Sequence, residues 1–312
     1  MNRKRVKMAS ESIKPTGSRR ASWWGISLIS SLLLVFSLLA PGLVEAQEQA
    51  VELIVRGDDL GMTHSANEAF ELAFKRGIIT CGGLIVPSPW FEDAVRRCLE
   101  HPDWSVGVHL CVNAEWKNYR WRPVLPYDLV SSLVDGDGFF YPTAEAFLAA
   151  GPKVEEVEKE LRAQIERALA CGLKPDYLDT HMDSLESKEE FRQVVKKLAQ
   201  EYDLPVSGWC GENREFFDIY NVAPEEKEKV LIEKLKSAGP GLYLLVVHPG
   251  LDTPEERALV DQNPAGLKNV YRYRSSEVRA ITSPKVKKVI SQRKIRLLNY
   301  RQLKAEGRAV VS

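Results

Sequence analysis

No Cys-x-x-Cys pair occurs in this chain, no internal repeat or low-complexity tract marks it, and no linker-like stretch divides it. The five cysteines, Cys81, Cys98, Cys111, Cys171 and Cys210, are an odd number, so at least one is unpaired even in an oxidising compartment. Cys81 and Cys111 fall in or beside apolar runs, where a thiol is buried and inert, so cysteine is not expected to carry the chemistry. Histidine is equally scarce, at five, and charge is balanced at 43 basic against 43 acidic residues.

The balance hides an asymmetry. Met1 to Arg20 carries seven Lys/Arg against the single Glu11, Trp23 to Leu39 is apolar or small throughout, and Val44-Glu45-Ala46 offers small residues where a signal peptidase reads. Residues 1–46 are therefore expected to be an export signal and residues 47–312 one mature domain, periplasmic or secreted. The other reading is an uncleaved membrane anchor, since Trp23 to Val44 approaches the ~20 residues that span a bilayer. Arg19-Arg20 after Ser18 weakly resembles a twin-arginine signal, which leaves the export route open. Removing seven basic and two acidic groups leaves 36 and 41, a net charge of about −5, so nucleic acid is not an expected partner.

In the mature part, apolar strand-like runs alternate with helical patterns, the order of a parallel α/β fold. Expected strands are Val51 to Gly57, Ile78 to Val86, Trp104 to Val112, Pro175 to Thr180, a short Leu204 to Ser207, Leu242 to Val247 and Ile295 to Asn299. Expected helices are Ser65 to Lys75, Trp90 to Leu99, Lys153 to Ala170, Lys188 to Glu201, Pro224 to Ser237 and two short ones within Ser275 to Ser291. The third has Val154, Val157, Leu161, Ile165 and Leu169 on one face and charges opposite. Seven or eight strands and 266 residues suit a single irregular (β/α) barrel, TIM-like and open to incomplete closure.

Chemically capable residues stand just past four of these runs: Asp58-Asp59, His109, His181 and His248. Parallel folds gather functional groups at strand carboxyl ends, so one assembled site is expected. One carboxylate and two imidazoles, from Asp59, His109 and His181, hold a divalent ion with positions left for water and substrate, and Asp58 beside them is placed to take the water's proton. On a regular strand Asp58 and Asp59 would face opposite sides, so the strand must break there, and Gly61 suggests such a break. His64 and His101 read as structural.

Arg56-Gly57-Asp58-Asp59-Leu60-Gly61-Met62 resembles the Asp-Asp-x-Gly opening motif of the YdjC-like carbohydrate deacetylases of the ChbG and HpnK type. Gly107-Val108-His109-Leu110, Asp179-Thr180-His181-Met182-Asp183, His248-Pro249-Gly250 and Arg274-Ser275-Ser276-Glu277 are similar to its later motifs, in family order from about Glu52 to about Leu303. The resemblance implies a barrel that removes N-acetyl groups from a sugar or oligosaccharide with one divalent metal. It makes Asp59, His109 and His181 the ligands, Asp58 the general base, His248 the general acid and Arg274 a substrate contact. Family members are commonly assigned Mg2+, whereas the ligand types suit Zn2+. Asp183 stands where many members carry a further histidine, and is expected to orient His181 or to cap the following helix.

The loop Asn113 to Thr143 is too aromatic to be disordered, and Trp116, Tyr119 and Trp121 are its candidate sugar contacts, with packing over the rim as the alternative. Asp135-Gly136-Asp137-Gly138 reads as tight turns with too few oxygen ligands for calcium. Two other functions stay open: a metal phosphoesterase or other amidohydrolase on a related barrel, and a glycan-binding protein without activity. The oligomeric state is left unassigned.

Overall fold

The computed structural model describes residues 50–309, so the expected signal segment lies outside the described residues. Six parallel strands, β1 (Val51–Leu60), β2 (Cys81–Leu84), β3 (Val106–Leu110), β4 (Leu178–Thr180), β5 (Gly241–Val247) and β6 (Arg296–Leu297), form one sheet in the order β4-β3-β2-β1-β5. The two-residue β6 lies against the start of β1, pairing Glu52 with Arg296 and Leu53 with Leu297. β1 is central and buried along nearly its whole length, which accounts for the apolar Leu53, Ile54 and Val55 in it.

Helices follow the strands: α1 (His64–Arg76), α2 (Phe91–Glu100), α3 (Ala144–Ala149), α4 (Val154–Ala170), α5 (Glu189–Glu201), α6 (Lys227–Ser237), α7 (Pro254–Arg257), α8 (Val270–Thr282), α9 (Pro284–Gln292) and α10 (Tyr300–Ala305). The expected parallel α/β order holds, with two differences. Leu204 to Ser207 forms only a single bridge, Val206 to Leu178, and Asn213 forms another to Tyr243. Between them Gly208 and Gly211 adopt left-handed backbone, and no regular ladder crosses this gap to close the sheet into a ring. Helices α3, α7 and α10 are additions; α10 opens on a capping box between Asn299 and Gln302.

The two faces of β1 feed different interiors. Leu53 and Val55 join the main core with Phe70, Val108 and Leu161, while Ile54 packs with Tyr177, Leu244 and Tyr300 in a smaller one. By the two-residue period Arg56 and Asp58 share the face of Ile54, so they stand above this smaller core at the carboxyl end of the strand.

Helix α4 corrects one expectation. Val157, Leu161 and Ile165 are buried as expected, but Leu169 is exposed and Glu160 and Gln164 are buried instead. Glu160 accepts hydrogen bonds from the backbone N–H of Val124 (2.9 Å) and Leu125 (3.0 Å). Gln164 bonds both backbone groups of Cys111, at 3.1 and 2.8 Å, replacing a missing strand partner. These contacts hold the loop that leaves β3 over the carboxyl end of the sheet. Burial of its Trp116, Trp121, Leu133 and Phe140 explains its aromatic composition.

Candidate functional site

Asp58 and Asp59 reach the same site because the strand breaks between them. Asp59 has φ 73°, and the register of β1 against β2 shifts between Gly57 and Leu60. Left-handed backbone costs a non-glycine residue of order 1–3 kcal/mol, and aspartate is among the side chains that tolerate it. The break expected near Gly61 (φ 91°) thus begins at Asp59 itself.

Asp58 is not free. Arg56, two residues back on the same face, donates from Nε to Oδ1 (2.6 Å) and from Nη2 to Oδ2 (2.7 Å). Burial works to raise the Asp58 pKa, but Arg56, with His109 behind it, outweighs burial and holds the carboxyl below its ordinary value. Arg56 also lies 3.2 Å from Asp179 and donates to the Ser207 hydroxyl at 2.7 Å.

Three electron-pair donors converge beside this pair. His109 Nε2 and His181 Nδ1 are 3.2 Å apart, and Asp59 Oδ1 lies 3.7 Å from the first and 3.4 Å from the second. The outer nitrogens are both engaged: His109 Nδ1 with Asp179 Oδ2 at 2.7 Å, and His181 Nε2 with Glu115 Oε2 at 2.9 Å. A carboxylate on the outer nitrogen fixes the proton there, so each inner nitrogen presents its lone pair. Asp59 Oδ2 accepts from Arg274 Nη2 at 2.5 Å, while buried Oδ1 has no hydrogen-bond partner. An acceptor without a donor, facing two imidazole lone pairs, is a donor set that could hold a cation. Ligands ~2.0–2.2 Å from one tetrahedral ion stand about 3.3–3.6 Å apart, within about 0.1 Å of these separations.

The pairing His109–Asp179 needs room that only glycine leaves. β3 and β4 place the two residues side by side, and a Cβ on Gly83 would come within 2.9 Å of the Asp179 carboxylate and 3.2 Å of His109 Nδ1. Asp58, His109 and Asp179 form a second close set of potential ligands. The Arg56 guanidinium already stands between its two carboxylates, so this set does not fit a second ion.

Without a bound cation, only a proton reconciles these groups. Burial lowers the His181 pKa, yet the Glu115 and Asp59 carboxylates outweigh it and raise the group from 6.5 to about 10. A pKa raised in the folded state contributes stability that is complete below pH 6.5 and is lost as pH rises through about 10. The melting temperature of chelator-treated protein is therefore expected to fall across that interval, while metal-loaded protein, whose ligand histidines are deprotonated, lacks the fall. Identical pH profiles with and without metal would contradict this placement of His181.

His248 follows β5, with its backbone N–H donating to Glu277 Oε2 at 2.6 Å and its ring edge-on to Tyr220 at 5.3 Å. Its Nδ1 has no partner, and burial holds its pKa below the ordinary value against the pull of Asp59 and Glu277. Glu277 in turn binds buried Lys227 (2.6 Å), whose Nζ also donates to the backbone carbonyls of Ile219 and Tyr220. One ion pair thus ties His248 to the loop carrying Tyr220. Arg274 holds Asp59 through Nη2, while its Nη1 and Nε have no hydrogen-bond partner and the residue lines the adjoining cavity.

A cavity of about 550 Å3 opens over these groups. Of the three aromatic candidates, Trp116 lines it, with Arg274 over its ring at 5.2 Å. Trp121 is buried 6.1 Å from the His181 ring, and the Tyr119 hydroxyl reaches Glu255 at 3.2 Å, so neither contributes to the cavity wall. Asp183 neither orients His181 nor caps a helix. Met182 and Asp183 take left-handed backbone, φ 55° and 52°, and swing the Asp183 carboxylate onto Arg214, which holds it at 3.0 and 3.1 Å.

Arg56, Asp179 and Glu115 are functional neighbours that the sequence reading did not assign. The first two carried a usable signal: each is a charge within a buried strand, and Arg56 stands two residues from Asp58, on the same face. Glu115 lay in a loop and carried none. Cys81, Cys98 and Cys111 are buried, and burial pushes Cys98 up to about 12 and Cys111 well above its ordinary value, so these three are inert thiols.

Known proteins resemble this chain over most of its length. A carbohydrate deacetylase of Enterococcus faecalis is 28% identical over 264 residues, covering 81% of this chain and 98% of the relative. One of Thermus thermophilus is 31% identical over 263 residues, covering 77% and 89%. A crystal structure from Enterococcus faecalis V583, of a protein provisionally named for cellobiose-phosphate cleavage, superposes with a TM-score of 0.65 at 27% identity, covering 81% of this chain and 99% of that one. The family model described as YdjC-like protein matches residues 52–292, and the chain belongs to that family.

Proposed function

We propose that this protein is a metal-dependent carbohydrate deacetylase that hydrolyses the N-acetyl amide of a sugar or oligosaccharide. The observation that supports this best is the convergence of Asp59 Oδ1, His109 Nε2 and His181 Nδ1, each backed by its own charged partner. The names of the relatives supply the reaction. Asp59, His109 and His181 would hold a divalent ion, which when bound would supply Lewis acidity to the amide carbonyl and lower the pKa of water at the site. Two imidazoles favour an ion of the Zn2+ class over Mg2+, which prefers oxygen ligands.

The chain's own groups do the rest. Asp58, kept ionised and fixed by Arg56, accepts the proton of the attacking water through a lone pair left by its bidentate contact. His248, on the wall of the same cavity, gives a proton to the departing nitrogen from its protonated form, which burial makes a strong acid and the Asp59, Glu277 and Asp58 carboxylates help to form; without that proton the tetrahedral species collapses back to amide. Arg274 keeps Asp59 turned toward His109 and His181. Lys227 and Glu277 hold the His248 backbone and the Tyr220 loop in register. The Arg56 guanidinium leaves room for one ion, which weighs against a two-metal phosphoesterase, and the pairing of a base with an acid around the ligands weighs against a mere binding protein.

The expected export of residues 47–312 belongs to this reading, as does the membrane-anchored alternative. No helix among the described residues is long and apolar enough to cross a membrane. Incubating purified protein with N-acetylglucosamine oligosaccharides is expected to release acetate, to stop after chelation and to resume on adding Zn2+ or a similar ion. Acetate release undiminished by complete chelation would refute the metal-dependent mechanism.

A further inference from the structure

We propose that the cavity selects a neutral or amino-bearing N-acetylated sugar against an anionic one, and that Asp183 sets this preference by neutralising Arg214. The inference rests on the deacetylase reading and names its substrate class. Seven carboxylates and only two guanidiniums line the cavity, so it stays negative even with one divalent ion bound. Both guanidiniums have carboxylate partners. Arg274 has Asp59 at 2.5 Å and Glu256 at 3.7 Å, and Arg214 is closed by both oxygens of Asp183.

Away from the ligands, Glu215, Asp218 and Asp261 face the cavity, and none pairs with a lysine or arginine among the described residues. Carboxylates accept hydrogen bonds from sugar hydroxyls and attract the ammonium that deacetylation creates, while they repel a phosphate or uronate. This preference departs from what the provisional name of the Enterococcus faecalis structure suggests for that protein. Among the described residues lining the cavity, Arg214 is the guanidinium away from the donor triangle, and Asp183, with left-handed backbone at φ 52°, lies against it.

The test compares acetate release from N,N′-diacetylchitobiose with release from a phosphate ester of the same disaccharide, as the ratio of kcat/KM values, on metal-loaded full-length protein. The neutral sugar is expected to be favoured by at least roughly tenfold. Asp183→Asn, which keeps a residue tolerant of φ 52° but removes the charge, is expected to narrow that ratio by roughly tenfold, and Asp183→Asn with Arg214→Met to restore it. Equal or better turnover of the phosphate ester by the unaltered protein overturns the substrate class. An unchanged ratio in Asp183→Asn overturns the role of Asp183. Acetate from neither sugar with any added ion overturns the deacetylase reading, and this inference with it.

Discussion

Asp59→Asn is expected to lower kcat/KM for acetate release by at least about a thousandfold, the loss of ~4 kcal/mol or more of transition-state stabilisation. Asparagine has the shape of aspartate, accepts left-handed backbone and can still receive the Arg274 hydrogen bond, so the fold is expected to survive. What disappears is the negative charge that balances two neutral imidazoles around a cation. Metal content should fall with activity, and circular dichroism should not change. Retained metal with lost activity would place Asp59 in the chemistry and outside the ligand set.

Asp58→Asn separates the base from the ligands. Activity is expected to fall by about 10²–10⁴, while metal content stays that of the unaltered protein, because Asp58 is bound by Arg56 on both oxygens and is not one of the three converging donors. Stability should drop by about 2–3 kcal/mol, since a buried guanidinium loses its charged partner, but Asp179 at 3.2 Å still compensates in part. Chemical denaturation and elemental analysis of the same sample measure both effects. Loss of metal from Asp58→Asn would merge the two aspartates into one role.

The strands and their carboxyl-end residues were legible in the sequence because a parallel sheet buries both faces and leaves long apolar runs. Val51 to Gly57 and Leu242 to Val247 correspond to β1 and β5, and the residues after them, Asp58-Asp59 and His248, meet at one cavity. The required break between Asp58 and Asp59 was also legible, since period-two geometry forbids their joint use otherwise. Partners far apart in sequence were not. Glu115 meets His181 across 66 positions and Arg214 meets Asp183 across 31, and no local pattern encodes such pairings.

The sheet's closure was illegible for a related reason. Leu204 to Ser207 has the composition of a strand, yet Gly208 and Gly211 turn the chain after one bridge. Leu169 fits the apolar stripe of α4, but the loop above it needed Glu160 and Gln164 as hydrogen-bond partners, and the helix buries them instead. The demand for paired backbone groups outweighed hydrophobic pattern there.

The central claim is that Asp59, His109 and His181 hold one catalytic ion. Titrating chelated protein with Zn2+ while measuring bound metal and acetate release together tests it most directly. Activity is expected to rise to a plateau at one ion per chain, and Asp59→Asn to show neither binding nor rise at the same concentrations. Full activity before any metal is added, or a plateau only at two ions per chain, would contradict it.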